Sequence, residues 1–270
     1  MFGKVKREDI IIEHFEYDEI AVSYNLSYEK KAKVGKNQVA FLEYSKYDSK
    51  KKTTSVEVLP LTEKENDLRV EGRRISKNKK DRVVYVNTAK IDGIAFNMTI
   101  PMQLERVYDF SDNKTITNPC EISVKGFYDV KVDDAKAFLN RSFFHGAELT
   151  KAKFEQGMES RVSAAIRKAL VELTENREEK ILAMVSGADL SSLSKKSGEY
   201  VKNRFEASNF ILCNFEIMDI SIPEKLKDEM KKHAKEVSDS LVEKQKKDIL
   251  AWSGSPAYIE KMSDEEATAL

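Results

Sequence analysis

Two alternating apolar segments enclose a helical block, and this arrangement constrains the fold more than any other feature of the chain. The first is 124–134, VKGFYDVKVDD, and together with Ile122 before it this segment has apolar residues or glycine at every second position: Ile122, Val124, Gly126, Tyr128, Val130 and Val132. The second, 210–223, repeats this period through Ile211, Cys213, Phe215 and Ile217. A period of two predicts strands that bury one face. Two such strands around helices are typical of a scaffold or interaction domain.

The chain before these segments is rich in short strand patterns. Stretches of Val, Ile, Tyr and Phe alternate with polar, basic stretches, which predicts a mainly antiparallel β region with hairpin loops. The predicted strands are 19–24, 38–44, 55–61, 82–87 and 93–100, and the predicted loops are 45–54 and 71–81. Pro119 is expected at a strand start or edge, because proline cannot donate a ladder hydrogen bond.

A helical period replaces the strand period after Asp134. Apolar residues at four-residue spacing predict a helix over 148–173 with one buried stripe: Phe154, Met158, Val162, Ile166 and Leu170. Shorter helices are predicted at 135–140 and at 177–185, the latter ended by Gly187. A further helix is predicted between an N-cap at Asp189 and a C-cap at Asn209.

The segment after Pro223 has a different composition. Residues 224–250 contain no Gly or Pro and are dominated by Lys, Glu and Asp. They predict a solvated or coiled-coil helix that projects from the domain. A thin apolar stripe on this helix is the predicted assembly surface, formed by Leu226, Met230, Val237 and Leu241.

The chain as a whole is predicted to have an α+β fold in five parts. These are an N-terminal segment with amphipathic character, a β-rich subdomain, an α/β subdomain whose helices are closed by a strand, a charged helix and a loose acidic tail. Their predicted bounds are 1–16, 17–118, 119–223, 224–252 and 253–270.

Charge and cysteine usage restrict the function classes. Lys and Arg balance Asp and Glu, 46 against 46, so net charge provides no general attraction to nucleic acid or anionic lipid. Cys120 and Cys213 each lie in a strand pattern that suits a buried thiol, and a disulfide between them is not suggested. So few cysteines, together with no signal peptide or membrane-spanning pattern, predict a cytoplasmic protein.

Catalytic and metal-ligating clusters are missing from the sequence, so we expect no enzyme activity and no cofactor. The histidines fall in three separate predicted elements: His14, His145 and His233. His233 is interpreted as a surface residue, and a zinc site is not expected. Ser192 and Lys195 match S-x-x-K, and 111–113 match S-D-N, but their order is wrong for a serine β-lactamase. Chance matches are favoured, and a hydrolase that uses Ser192 and Lys195 is the enzyme alternative.

Two basic loops form the candidate contact with an anionic surface. Their residues are Lys50, Lys51 and Lys52 in the first loop, and Arg73, Arg74, Lys77, Lys79 and Lys80 in the second. Solvated hairpin tips are favoured over a nucleic-acid site. Solvated tips are less clearly favoured over a contact with a membrane surface, because each basic residue near anionic lipid contributes about 1 kcal/mol.

The segment VKGFYDVKVDD resembles the SPFH family, also called band 7, which includes stomatin, prohibitin and flotillin. Gly126, Tyr128 and Asp133 occupy the family's Gly-x-Tyr strand and following Asp, and Pro223 stands where its last strand ends. Asp134 departs from the family's frequent Pro, and Asn209 replaces a frequent Gly, yet both residues are compatible with turns.

A narrower resemblance joins the chain to the soluble bacterial branch of this family described as virion-core-protein-like. The segment VYVNTAKIDGIAF at 84–96 is similar to the VYF-NT-x-x-I-x-G-I-x-F segment of that branch, and VGKNQVAFL at 34–42 is similar to its earlier strand. Many branch members end in a zinc ribbon, which this chain lacks.

The resemblance implies an SPFH-type domain followed by a helix, and a non-enzymatic oligomeric scaffold. Members usually assemble into rings, cages or membrane-bound arrays, and several associate with partner membrane proteins or proteases. We expect a homo-oligomer peripheral to the inner face of the cytoplasmic membrane, with a membrane-protein partner or an anionic lipid surface. The alternative is a soluble cage-forming or assembly-forming structural protein with no membrane role.

Overall fold

The computed structural model describes residues 11–13, 19–26, 31–70, 81–109, 114–139, 148–187 and 190–253. Their mixture of sheets and helices confirms the predicted α+β class. The chain divides into two compact units. The first comprises Met1–Ile100, Ser123–Leu173 and Asp189–Ile220, and the second comprises Pro101–Ile122, Thr174–Ala188 and Ser221–Leu270.

The elements follow the chain in this order. The strands are β1 (Ile11–Glu13), β2 (Glu19–Asn25), β3 (Lys31–Val34), β4 (Gln38–Asp48), β5 (Thr53–Leu61), β6 (Lys64–Asp67), β7 (Arg82–Asn87), β8 (Ile91–Asp109), β9 (Lys114–Val132), β10 (Glu148–Thr150) and β11 (Phe210–Ser221). The helices are α1 (Ala135–Leu139), α2 (Lys151–Thr174), α3 (Glu178–Val185), α4 (Leu190–Glu206) and α5 (Glu224–Ser253).

Two sheets form the N-terminal part of the first unit. One has the strand order β1-β3-β6, and the other has the order β10-β2-β7-β4-β5. The β2, β4, β5 and β7 pairs are antiparallel, as the sequence predicted. The two sheets share an apolar core that includes Ala32 and Val34 from the smaller sheet and Leu42, Val83 and Tyr85 from the larger. The strand β7 lies inside its sheet and buries both faces, which explains its continuous apolar run.

A third sheet has the order β11-β9-β8. Within the first unit it carries a group of aromatic side chains with ring contacts to α2 and α4. Phe96 stacks on Phe215 at 5.4 Å between ring centroids, and Tyr128 lies 5.3 Å from Phe205 and 6.4 Å from Phe154. The predicted alternation of β9 is confirmed, because Ile122, Gly126 and every other member of that set are buried.

The helical stripe of α2 is also confirmed. Phe154, Met158, Ile166 and Leu170 have no exposed surface, and Val162 is 1% exposed. The predicted start of this helix was wrong, because 148–150 pair with β2 as the strand β10. The helix begins at Lys151, three residues later than predicted, and the Thr150 hydroxyl accepts a hydrogen bond from the Lys153 amide at 3.3 Å.

Several other boundaries differ from the prediction. The predicted loop 45–54 is mostly strand, because β4 continues to Asp48 and β5 starts at Thr53. Pro119 lies inside the long strand β9 rather than at a strand start. The strands β1, β3 and β6 were not predicted, since all three are short and polar residues dominate β6.

The second alternating segment does form a strand, but the predicted buried face was wrong. Ile211 is 40% exposed and Cys213 is exposed, whereas Phe210, Ile217 and Ile220 are buried. The buried positions on β11 are therefore not spaced by two. Among the described strands, β11 has only β9 beside it and so lies at the edge of its sheet.

The helix ends agree with the predicted caps where they are described. Gly187 has φ 92° after α3, and Asn209 has φ 62° after α4, so both adopt the left-handed conformation typical of helix C-termini. The predicted N-cap Asp189, the tail beyond residue 253 and most of the N-terminal segment lie outside the described residues.

Candidate interaction surfaces

The strands β4 and β5 form a hairpin that extends past its sheet. Among the described strands, β7 pairs with β4 only over 38–43, whereas β5 pairs with β4 as far as the partners Asp48 and Thr53. The outer half of the hairpin therefore has no third strand beside it within the described part of the chain. A hairpin of this kind exposes both faces and both edges.

The first predicted basic group lies in the turn of this hairpin. Lys50, Lys51 and Lys52 are exposed. The Asp48 carboxylate accepts hydrogen bonds from the amides of Lys50 at 2.9 Å and Lys51 at 3.2 Å, and Lys52 has φ 52°. Because the backbone amides satisfy Asp48 in this way, the turn is fixed while its three ammonium groups point to solvent.

One face of the hairpin carries apolar side chains beside this basic turn. In the β4–β5 register, Tyr47 pairs with Thr54, and Ser45 pairs with Val56. Alternation along each strand therefore places Tyr47, Val56 and Val58 on the same face. Their exposed fractions are 38%, 73% and 38%. We call these three residues and Lys50–Lys52 the hairpin surface.

The second predicted basic group, Arg73, Arg74, Lys77, Lys79 and Lys80, lies outside the described residues. The chain that follows it is fixed to β4. The Ser45 amide donates to the Asp81 carboxylate at 3.0 Å, and Arg82 pairs with Glu43. Asp81 is 5% exposed. Asp81, the first described residue after this group, is therefore held at the start of the protruding half of the hairpin.

The predicted assembly helix α5 has two distinct halves. Its first half packs on α3 in the second unit, where Met230, 2% exposed, and Val237 line a cavity of about 250 Å³ with Leu182. His233, which was predicted as a surface residue, is half-buried and lines the same cavity. Leu226 is half-buried.

The second half of α5 is exposed over 238–249, the part of it whose side chains are described. Leu241, Val242 and Ile249 have exposed fractions of 44%, 45% and 64%. Around them the helix is dominated by charged side chains. These three residues, which we call the distal stripe, are the apolar part of α5 that its own unit leaves uncovered among the described residues.

A buried ion pair lies at the base of the second unit's cavity. Arg106 Nε donates to Glu178 Oε2 at 2.6 Å, and Asn118 donates to the other carboxylate oxygen at 3.4 Å. Glu178 is 4% exposed. Burial, with smaller contributions from Glu178 and Glu121, raises the pKa of the Cys120 thiol to about 11. No sequence signal predicted this group, because its members are far apart along the chain.

The candidate catalytic residues do not gather into a site. Ser192 is half-buried and Lys195 is exposed on α4, and neither lines the two cavities described for the two units. The residues 111–113, His14 and His145 lie outside the described part of the chain. Within that part, no group of three or more His, Cys, Asp or Glu side chains has the arrangement of a metal site.

The SPFH domain-Band 7 family matches residues 75–237, from the segment before β7 to the middle of α5. The chain belongs to the SPFH/band 7 family. The resemblance of its Gly-x-Tyr strand is thereby confirmed, whereas the virion-core-protein-like branch stays a prediction. No curated protein matches the chain. Membership indicates a scaffold-type protein of a generally non-enzymatic family.

Among the described helices, none has the length and apolarity needed to cross a bilayer.

Proposed function

We propose that this SPFH protein is a non-enzymatic oligomeric scaffold that binds the inner face of the cytoplasmic membrane and organises partner proteins there. The observation that carries the membrane part is the hairpin surface. It combines a basic turn with exposed apolar side chains on a hairpin that projects past its sheet. This combination fits the boundary between anionic headgroups and acyl chains.

The two parts of the hairpin surface contribute in different ways. Each of Lys50, Lys51 and Lys52 contributes about 1 kcal/mol near an anionic leaflet. Tyr47 and Val56 add the burial of apolar surface, at about 25 cal/mol per Å². Tyrosine also suits the interface because its ring is apolar and its hydroxyl remains hydrated.

The second basic group is proposed to add to the same surface. Asp81, the first described residue after Arg73, Arg74, Lys77, Lys79 and Lys80, accepts a hydrogen bond from the Ser45 amide at the start of the protruding hairpin. Five more cations would strengthen binding to anionic lipid and increase its salt dependence.

Flotation with lipid vesicles tests the membrane part. Full-length protein is mixed with vesicles of phosphatidylcholine alone or with phosphatidylserine, and the bound fraction is measured against salt. We expect binding only to anionic vesicles, and a loss of about a hundredfold in affinity for the Lys50→Gln/Lys51→Gln/Lys52→Gln variant. Val56→Ser/Val58→Ser should also weaken binding.

A matched control separates the effect of the hairpin lysines from a general effect of net charge. Lys231→Gln/Lys232→Gln/Lys235→Gln removes the same charge from exposed positions on α5. This control variant should bind as the wild type does. Equal losses in both triple variants, or no binding to anionic vesicles, would overturn the membrane part of the proposal.

Assembly is proposed to use the distal stripe of α5. Leu226 is half-buried and Met230 is buried within their own unit. Leu241, Val242 and Ile249 are exposed. Apolar residues on an otherwise charged helix favour a helix–helix contact between subunits. Light scattering should show an oligomer that Leu241→Glu/Ile249→Glu dissociates, and a wild-type monomer at high concentration would overturn this part.

The alternative is a soluble cage-forming or assembly-forming protein with no membrane role. The exposed distal stripe supports assembly equally in this case. Electron microscopy of the purified protein distinguishes the two. Large closed particles, together with no flotation on anionic vesicles, would favour the soluble assembly.

A further inference from the structure

A cavity of about 310 Å³ lies in the first unit between β8, β9 and α2. Two aromatic rings form part of its lining, because Phe96 and Tyr128 lie nearly parallel with 6.3 Å between their centroids. Met98 and Val162 add apolar surface. The volume is at the lower end of small-molecule sites, which are about 300–1,000 Å³.

Tyr128 is the buried polar residue of this cavity. Tyr128 is 1% exposed, and its hydroxyl has no hydrogen-bond partner among the described residues. Burial and, secondarily, the negative charge of Glu155 raise the pKa of Tyr128, so the hydroxyl stays protonated at neutral pH.

The rim of the cavity is acidic. Glu155 and Glu159 lie one turn apart on α2, so their side chains share one face of the helix. Neither carboxylate has an ion-pair partner among the described residues. The rest of the described lining contains no basic side chain. This lining therefore attracts a cation and repels an anion.

We propose that this cavity binds the protonated amino group of a small alkylamine or of a lysine side chain. The ammonium group would lie against the Phe96 and Tyr128 rings, donate to the Tyr128 oxygen and be neutralised by Glu155 and Glu159. Aromatic faces attract organic cations, and alkyl carbons suit the apolar wall. A hard metal ion is disfavoured, because Ca²⁺ takes about six to eight oxygen ligands.

Calorimetric titration of the full-length protein tests the site with n-pentylammonium and with 1-pentanol of equal chain length. We expect saturable binding of the amine and a much weaker response to the alcohol. A titration with Nα-acetyl-lysine methylamide identifies the source of the ammonium group. Tighter binding than that of pentylammonium assigns the site to a lysine side chain of a partner protein. Weaker binding assigns the site to a free amine.

Two variants and one control complete the test. Glu155→Gln/Glu159→Gln should weaken amine binding about tenfold or more through the lost charges. Tyr128→Phe keeps the ring and removes only the acceptor, so it should weaken binding less. Glu229→Gln/Glu243→Gln changes the same charge on exposed α5 positions and should leave binding unchanged.

The outcomes are independent of the scaffold proposal, because no hairpin or distal-stripe residue lines this cavity. Binding of the amine and the alcohol with equal affinity, or unchanged amine binding in Glu155→Gln/Glu159→Gln, would overturn the inference. Absence of saturable amine binding in the folded wild type would overturn it as well.

Discussion

The carbonyl oxygen of Glu216 occupies the space that a side chain at Gly126 would need. A Cβ atom at Gly126 would lie 2.1 Å from this oxygen and 2.5 Å from Cζ of Phe96. The strands that carry Gly126 and Glu216 are neighbours in the third sheet. The glycine of the Gly-x-Tyr motif is therefore required by the close approach of a backbone, since no Cβ fits there.

Gly126→Ala should lower the free energy of unfolding by about 1–3 kcal/mol or more, because β11 or Phe96 must move. Gly198→Ala is the matched control. Its Cβ would lie 3.4 Å from Cβ of Phe215, and helical Gly→Ala substitutions stabilise by about 0.5–1 kcal/mol. Urea titrations of both variants measure the difference. Equal stability of the two variants would contradict the packing argument.

The elements whose apolar residues repeat at one regular spacing were predictable from the sequence. The four-residue stripe of α2 and the alternation of β9 each describe an element with one continuous buried face. The exception on β9 is instructive. Asp129 alternates with the buried positions Tyr128 and Val130, so the period of two places it on the opposite, polar face. It is nevertheless 6% exposed, because its carboxylate accepts a hydrogen bond from the Gly93 amide at 2.7 Å and pairs with Lys90 at 3.1 Å.

The candidate surfaces were only partly predictable, since they depend on contacts between distant segments. The sequence indicated Lys50–Lys52 as a basic turn but not the exposed apolar face beside it, which follows from the β4–β5 register. The aromatic cavity could not be predicted either. It requires β8, β9 and α2 to converge, and local periodicity carries no such information.

Removal of Arg106 should be strongly destabilising. Arg106→Met leaves the Glu178 carboxylate without its cation in a buried position, at a cost of about 3–5 kcal/mol. The double variant Arg106→Met/Glu178→Met should recover much of this loss, because two apolar side chains replace two charges. Chemical denaturation measures each variant.

A surface pair provides the control for this prediction. Lys180 pairs with Glu175 at 2.6 Å, and both side chains are exposed. Lys180→Met should therefore change stability by less than about 1 kcal/mol. If Arg106→Met costs no more than Lys180→Met, the buried ion pair does not stabilise the second unit.

The two cysteines should differ sharply in reactivity. Cys213 is exposed, whereas Cys120 is buried and its pKa is raised to about 11. Since the thiolate is the reactive form, a thiol reagent at neutral pH should label Cys213 quickly and Cys120 only after unfolding. Mass spectrometry of native protein should find one label, and Cys213→Ser should remove it. Native labelling of Cys120 would show that its strand opens readily.

The interaction of α2 with α4 should make part of the stability acid-sensitive. Glu172 pairs with Lys196 at 2.7 Å and accepts a hydrogen bond from the Tyr200 hydroxyl. Lys196, and then Tyr200, lower the pKa of Glu172 below its usual value of 4.5. Lys168 lies 4.0 Å above the Tyr200 ring and adds a cation–π contact to the same group.

The direction of the effect follows from the lowered pKa of Glu172. As pH falls, this carboxyl takes up a proton in the unfolded state at a higher pH than in the folded state. The stabilising effect of the Glu172 carboxylate is therefore present above pH 4.5 and declines as pH falls below that value. Glu172→Gln should therefore reduce stability at pH 7 and make little difference at strongly acid pH. Urea titrations of wild type and variant across this range measure the change, with Glu229→Gln as the exposed control. A difference between wild type and Glu172→Gln that stays constant with pH would mean that the loss comes from packing rather than from the carboxylate charge.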